Sequence, residues 1–273
     1  MPGVNFRRWT AGVLIVPFVL AAGCGSSDND KKTASTTTTS VQPAPLAILV
    51  TNDDGFAAPG IDAVVEALRK EPKVHVDVVA PATNQSGQGE NTTPGELAVT
   101  DQHTIGGYAA KAVAGHPADA VNVALDRLHL TPDLVVSGSN AGQNIGEFAK
   151  VSGTVGAAKT AAKRGIPALA VSTGLAPDPD YAGSAVLVVA WFRQHRAAIA
   201  AHRGAATVES MNVPTCTAGH RRGLVETTVA ASFHDRPAAG PSNCESTTPR
   251  SQLVDDVDFF LNGFTTLTPI SLN

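Results

Sequence analysis

Positive charge is scarce in this chain. Its 273 residues carry 20 Lys and Arg against 24 Asp and Glu, a net −4 with histidine neutral. Setting aside residues 1–23, which hold Arg7, Arg8 and no acid, takes −4 to −6. Such a surface repels polyanions, so duplex nucleic acid is not an expected partner, although a bound cation can still attract a single phosphate. The apolar run from Ala11 to Ala22 is too short for a membrane span, and no internal repeat is present. The glycine-punctuated stretch from Ser137 to Gly146 lacks the Lys-Ser/Thr ending of a phosphate-cradling P-loop, and no dinucleotide fingerprint follows the first strand. An ordinary nucleotide-cofactor enzyme is therefore not expected. No Cys or His stands where a covalent nucleophile would be needed.

The beginning of the chain reads as a targeting segment. Arg7-Arg8, the apolar run and the small residues up to Gly23 have the charge, length and ending of an export signal. Leu20-Ala21-Ala22-Gly23-Cys24 is similar to a bacterial lipobox, which implies signal residues 1–23, lipid attachment at Cys24 and an anchor on the outer face of the cell membrane. The alternative is a plain signal peptide with an incidental cysteine. Residues 24–44, rich in Ser, Thr, Asp and Lys, are expected to tether the domain at 45–273. In an oxidising compartment Cys216 and Cys244 are either a disulfide or two free thiols, and spacing alone does not choose.

With 43% hydrophobic residues, the rest of the chain can build one α/β domain. Leu46 to Val50 suits a strand buried on both faces. Ile61, Val64, Val65 and Leu68 mark one face of a helix after Pro59-Gly60, and Val74 to Ala80 is a β-branched strand. Pro117 opens a helix whose apolar face is Val121, Ala124, Leu125 and Leu128. A strand at Leu134–Val136 runs into the polar loop from Ser137 to Gly146, followed by a helix over about 154–164 and a strand over 166–171. A helix over 182–202 and a strand over 208–213 come next, and Leu224–Val229 and Phe264–Leu267 are short strands of a weakly patterned C-terminal part. The alternation predicts a Rossmann-like α/β fold: a mainly parallel sheet with helices on both faces, plus a small, irregular, β-rich C-terminal part.

Ligands of such sheets bind beyond the carboxyl ends of the strands, where the polar clusters of this sequence fall. Asp53 and Asp54 form adjacent carboxylates on a tight turn, an arrangement that is costly unless a cation or strong donors compensate. A hard divalent ion such as Mg²⁺ or Mn²⁺ is the natural compensator. Alternatively, one Asp caps the following helix or shapes an Asx turn and the other is solvated. Ser152-Gly153-Thr154 at a helix start can present backbone N–H groups to phosphate oxygens, or can simply cap that helix.

Five motifs in order then resemble the SurE family of nucleotidases. They are Thr51-Asn52-Asp53-Asp54-Gly55, Ala58-Pro59-Gly60-Ile61, Val79-Ala80-Pro81 through Asn84-Gln85-Ser86-Gly87, Pro132 through Gly146, and Ser152-Gly153-Thr154-Val155. Met211-Asn212-Val213-Pro214 and Leu267-Thr268-Pro269 extend the likeness. The resemblance implies a metal-dependent phosphatase acting on nucleoside 5′- and 3′-monophosphates, with one divalent ion per subunit held by Asp53, Asp54, Ser86 and Asn140. It places Asn144, Ser152, Gly153 and Thr154 at the phosphate, Asp53 or Asp54 at the attacking water, and Glu90-Asn91-Thr92-Thr93 in a mobile loop. Four features depart from the family. His116 replaces a Thr, with an ordinary surface histidine as the expected reading and a phosphate contact as the other. Lys159-Thr160 replace a Met-Glu pair. The chain stops at Asn273, where members continue into a C-terminal helix that subunits exchange, so a homo-oligomer is possible but not expected by that route, and the region from about Cys216 to Asp258 departs from the family pattern as well. The alternative function is a nucleotide- or phosphate-ester-binding lipoprotein with weak or lost turnover.

Overall fold

A computed structural model of the chain describes residues 45–201, 206–233, 236–237 and 240–273. The expectations for the leader, Cys24 and the tether lie outside the described residues.

The apolar run at the start of the domain forms β1 (Leu46–Thr51), buried at all but one position. It is followed by α1 (Pro59–Leu68), β2 (Val74–Pro81), β3 (Val99–His103), β4 (Ala109–Val113) and α2 (Pro117–Asn122), which continues as a π-helical turn over Val123–Arg127. Then come β5 (Leu134–Ala141), α3 (Phe148–Val151), α4 (Gly153–Lys163), β6 (Ala168–Thr173), α5 (Tyr181–Ala200), β7 (Val208–Val213), β8 (Leu224–Glu226), α6 (Asp256–Leu261) and β9 (Thr265–Ile270). They build one nine-stranded sheet in the order β3-β4-β2-β1-β5-β6-β7-β9-β8. The run from β4 to β7 is parallel, with antiparallel β3 at one side and antiparallel β9 at the other. This is the Rossmann-like α/β arrangement that the alternation predicts, and the C-terminal strands β8 and β9 extend the same sheet.

Strand residues alternate between two cores, as the two-residue period of a strand requires. Ile48 and Val50 of β1 and Leu134 and Val136 of β5 face α1 and α5, where Ile61, Val65, Val188 and Phe192 cover them. Leu49 and Val135 face the other way, onto Val121, Ala124, Ala157, Ala158 and Ala161. The alanines of α4 bring its backbone close to the sheet, which matters for the site described below.

Several elements differ from the sequence expectation. The strand expected over 134–136 continues to Ala141, where a polar loop was expected. It pairs with β6 up to Ala141↔Thr173 after a register shift between Ser137 and Asn140, and the Gly138–Ser139 peptide is cis. Neighbours satisfy part of the polar run in this strand: the Ser139, Thr173 and Ser184 hydroxyls form a buried chain at 2.6 and 2.7 Å, while the buried Ser137 hydroxyl has no hydrogen-bond partner among the described residues. β6 starts at Ala168, just after Pro167, and not at Ile166. The β3–β4 hairpin, α3 and α6 have no counterpart in the pattern. Cys216 and Cys244 are joined as a disulfide with their Cα atoms 5.6 Å apart.

Gly60 marks the tightest approach between α1 and the sheet. A Cβ there would stand 1.8 Å from the Ser139 carbonyl oxygen and 2.9 Å from the Tyr181 ring. Both neighbours are anchored, so an added methyl forces the helix off β5. Gly60→Ala is expected to cost about 3 kcal/mol in urea unfolding. A loss below about 0.5 kcal/mol would contradict this packing.

Candidate functional site

The chain crosses from β1 to β2 on one side and to β5 on the other, so the crevice beyond the carboxyl ends of β1 and β5 is a topological switch point. The loop after β1 is shaped by Asn52. Its side chain donates to the Gly55 carbonyl (2.9 Å) and accepts from the Gly55 N–H (3.1 Å). Helix α1 has Ala58 at its N-cap with no side-chain cap. Neither Asp53 nor Asp54 caps that helix, and the turn's side-chain hydrogen bonds belong to Asn52. The carboxylates are left for other work.

Asp53 is 3% exposed. Its Oδ1 accepts the Thr154 hydroxyl at 2.7 Å, and no side-chain donor reaches its Oδ2 among the described residues. Gly153 approaches so closely that a Cβ would stand 2.8 Å from Asp53 Cβ, 3.0 Å from Asp53 Oδ2 and 3.0 Å from Pro117 Cγ. Only glycine fits there. Asp54 is half-buried, with Oδ1 accepting from Asn84 Nδ2 (3.0 Å) and Oδ2 from the Ala141 N–H (2.9 Å).

Burial pushes the Asp53 carboxyl up to about 6, with hydrogen bonds from Thr154 pulling it down and the Asp54 charge raising it further. Burial also raises Asp54, against the hydrogen bonds from Ala141 and Asn84. Two carboxylates are thus held together in a place that disfavours their charged forms.

A cavity of about 250 Å³ opens beside them, walled by Asp53, Ser86, Asn140, Asn144, Ser152 and apolar residues including Leu175. Ser86 reaches it from the loop after β2, which is tied to the first loop by a bond from the Gln85 N–H to the Asp53 carbonyl at 2.7 Å. Asn140 comes from the end of β5. Its Nδ2 donates to the Gly142 carbonyl at 2.6 Å, which leaves the amide oxygen for another partner. Asn144 is fixed from both sides, its N–H donating to Asn212 Oδ1 (2.7 Å) and its Nδ2 to Ser172 Oγ (2.8 Å). Ser152 caps α4 by accepting the Val155 N–H at 3.1 Å.

Of the residues named from sequence, Asp53, Ser86, Asn140, Asn144 and Ser152 share this one cavity wall. Asp54 is not among its lining residues, and its Oδ2 accepts the N–H of Ala141, which does line it. Thr154 is fully buried, and its hydroxyl goes to Asp53 rather than to the cavity. Glu90 turns away from the cavity into ion pairs with Lys159 (2.7 Å) and Lys163, and the Thr93 N–H donates to Asp119 (2.9 Å). His116 is neither a free surface side chain nor part of the wall. It stands at the N-cap of α2 with its Nδ1 3.0 Å from Gln85 Oε1.

Three supporting residues escaped the sequence reading. Asn212 stands in a motif that merely extended the resemblance. Asn84 stands in the motif that carries Ser86, with no role of its own implied there. Asp256, fully buried, accepts the Gly146 N–H (3.0 Å) and the Ala230 N–H (2.8 Å) and so fixes the end of the loop after β5. Its position in an irregular segment gave no signal.

Among the described residues no group of three or more His, Cys, Asp or Glu could hold a metal ion. A cation here would rest on two carboxylates and the neutral oxygens of Ser86 and Asn140. That donor set suits a small, oxygen-preferring divalent ion that keeps several waters. The open Asp53 Oδ2 fits the same need.

Comparison with known proteins adds an independent line. The model of the family described as "Survival protein SurE" matches residues 48–236. The 5′-nucleotidase SurE of Methanoculleus marisnigri is 48% identical over 126 residues, 46% of this chain and 47% of that protein. That of Halobacterium salinarum strain R1 is 52% identical over 126 residues, 46% of each chain. The matched segment thus spans about half the length of these curated relatives. The crystal structure of the Sure protein from Aquifex aeolicus superposes with a TM-score of 0.66 at 27% identity, covering 83% of this chain and 94% of that one.

The raised carboxyl has a measurable consequence. Without a cation, the folded chain holds a proton on Asp53 more tightly than the unfolded chain does. That contribution to stability is complete below pH about 4 and is lost as pH rises through about 6. A rise from 3.8 to about 6 corresponds to about 3 kcal/mol. In chelator, Asp53→Asn is expected to remove a fall of roughly that size between pH 4 and 7, measured by urea unfolding. Identical pH slopes for the two proteins would count against the buried carboxyl.

Proposed function

The chain belongs to the SurE family, and from that premise we propose that it is a metal-dependent phosphomonoesterase that hydrolyses nucleoside 5′- and 3′-monophosphates to nucleoside and phosphate. One observation carries the reading. The buried Asp53, with an oxygen left open, lines the same cavity as Ser86 and Asn140, beside the N-terminus of α4. Asp53, Asp54, Ser86 and Asn140 would hold one Mg²⁺ or Mn²⁺. The ion, when bound, supplies Lewis-acid polarisation of a phosphoryl oxygen and a lowered pKa for water.

The chain's own groups do the rest. The Val155 N–H is taken by the Ser152 cap and the Thr154 N–H by Asp53, so α4 would act on a phosphate mainly through the positive end of its dipole. Asn144, pinned by Asn212 and Ser172, offers its remaining amide oxygen at the cavity wall. Thr154 holds Asp53 in one rotamer, so its open oxygen points at one place. A carboxylate of the pair would take the proton of the attacking water.

The lipobox-like segment ending at Cys24 supports export and lipid anchoring, which would put this chemistry at the outer face of the cell membrane. The purified protein is expected to release phosphate from 5′-AMP, 3′-AMP and an aryl phosphate with Mn²⁺ or Mg²⁺. Chelation should abolish this, and Asp54→Ala should lower kcat/KM by about 100-fold or more, in line with loss of a key electrostatic group. Tight nucleotide binding without phosphate release would favour a binding lipoprotein, and an active Asp54→Ala variant would refute the assignment of the pair.

A further inference from the structure

Large apolar side chains that stay exposed are few among the described residues, and two of them stand at the candidate site. Val151 is 56% exposed and Leu175 50% exposed, and both line the cavity with Asp53, Ser86 and Asn140. Phe148, half-buried, lines it as well and is held by a tilted contact with Phe233 at 4.7 Å between ring centres. The rim is anchored to the loops that carry the polar donors. The Val151 carbonyl accepts the Gly89 N–H at 3.0 Å, on the loop of Ser86. The Leu175 N–H donates to Gln143 Oε1 at 3.0 Å, on the loop that follows Asn140. Leu175 and Asn140 both flank Gly142: a Cβ there would be 3.9 Å from Leu175 Cδ1 and 4.0 Å from Asn140 Nδ2.

The size of the cavity adds a constraint. About 250 Å³ is below the usual range of pockets that enclose a drug-sized ligand, roughly 300–1,000 Å³. With a phosphate at the inner, polar end, a nucleoside monophosphate is not fully enclosed. Its base would lie across the rim.

We propose that Val151, Leu175 and Phe148 form an apolar clamp for the flat, weakly polar part of the phosphate ester, a nucleobase or an aryl group. The clamp gives nucleoside and aryl phosphates their advantage over phosphates of small polar alcohols. This rests on the phosphomonoesterase reading for what occupies the inner end, but its recognition element is separate from the acidic pair. Covering the exposed halves of a Val and a Leu corresponds to roughly a ten-fold gain in affinity.

The test compares the full-length protein, the double variant Val151→Ser/Leu175→Ser, and Val254→Ser, whose side chain is 75% exposed and does not line the cavity. Calorimetry with Mn²⁺ measures binding of a nucleoside 5′-methylenephosphonate, whose C–P bond resists hydrolysis, and of the ribose analogue lacking the base. Hydrolysis of 5′-AMP and of ribose 5-phosphate is measured separately. The double variant should lose about ten-fold of its preference for the nucleoside analogue, and Val254→Ser should behave as wild type. The clamp is overturned if the preference is unchanged, if wild type binds neither analogue, or if the variant alters only the oligomeric state. Rim-dependent binding in a wild-type protein that hydrolyses neither ester would sustain the clamp and remove the enzymatic reading. Hydrolysis of both esters with no rim effect would do the reverse.

Discussion

A carboxylate taken almost entirely out of water, with a second carboxylate beside it, is the constraint around which the site is arranged. Asp53 is carried inward by β1, whose apolar residues fill both cores. The strand ends at a loop locked by Asn52, so the acid cannot swing into solvent. Its environment offers only partial compensation: the hydroxyl of Thr154 with weaker bonds from the Thr154 and Asp53 backbone, and on Asp54 one amide and one backbone N–H. Desolvation outweighs those bonds, which is why both acids are pushed upward. An arrangement held against such a cost implies a positively charged occupant or a proton-transfer role, and the neutral oxygens of Ser86 and Asn140 in the same wall favour a hard cation.

The surrounding packing follows from that demand. Helix α4 must bring its N-terminus against Asp53, and the alanines on its inner face together with the missing side chain of Gly153 let it do so. Gly60 lets α1 press on β5 in the same way on the opposite face. The loops after β1 and β2 are joined by the bond between Gln85 and Asp53, and Asp256 and Asn212 pin the segment after β5. Parallel strands deliver these loops to one edge of the sheet, so residues from 53 to 175 meet in a single cavity. The apolar rim belongs to the same frame, since its backbone is tied to two of these loops.

What could be read in the sequence divides along physical lines. β1, β2 and α1 were legible because burial on one or two faces leaves a clear apolar pattern. The β3–β4 hairpin was not: Val99-Thr100-Asp101-Gln102-His103 is mostly exposed, and Ala109-Ala110-Lys111-Ala112-Val113 has little β-propensity, so pairing alone makes these strands. The extension of β5 through Ser137-Gly138-Ser139-Asn140 was hidden because its polar side chains look like a loop until their buried partners are known. At the site, the motif order singled out Asp53, Ser86, Asn140 and Asn144. It could not tell that Thr154 would spend its hydroxyl on Asp53, nor that Asn52 would take over the turn, since both depend on tertiary contacts. Spacing left Cys216 and Cys244 open, and their proximity decides the pairing.

Membership in the SurE family and the buried acidic pair converge on one claim, that a divalent ion is held at the junction of β1 and β5. Electron paramagnetic resonance of Mn²⁺ titrated into the protein tests it most directly, because it counts bound ions without requiring turnover. One ion per chain is expected for the wild type, with affinity reduced about ten-fold or more by Asp53→Asn, and less by Ser86→Ala, as loss of a charged ligand exceeds loss of a neutral one. Unchanged Mn²⁺ binding in Asp53→Asn would place the ion elsewhere and contradict the assignment.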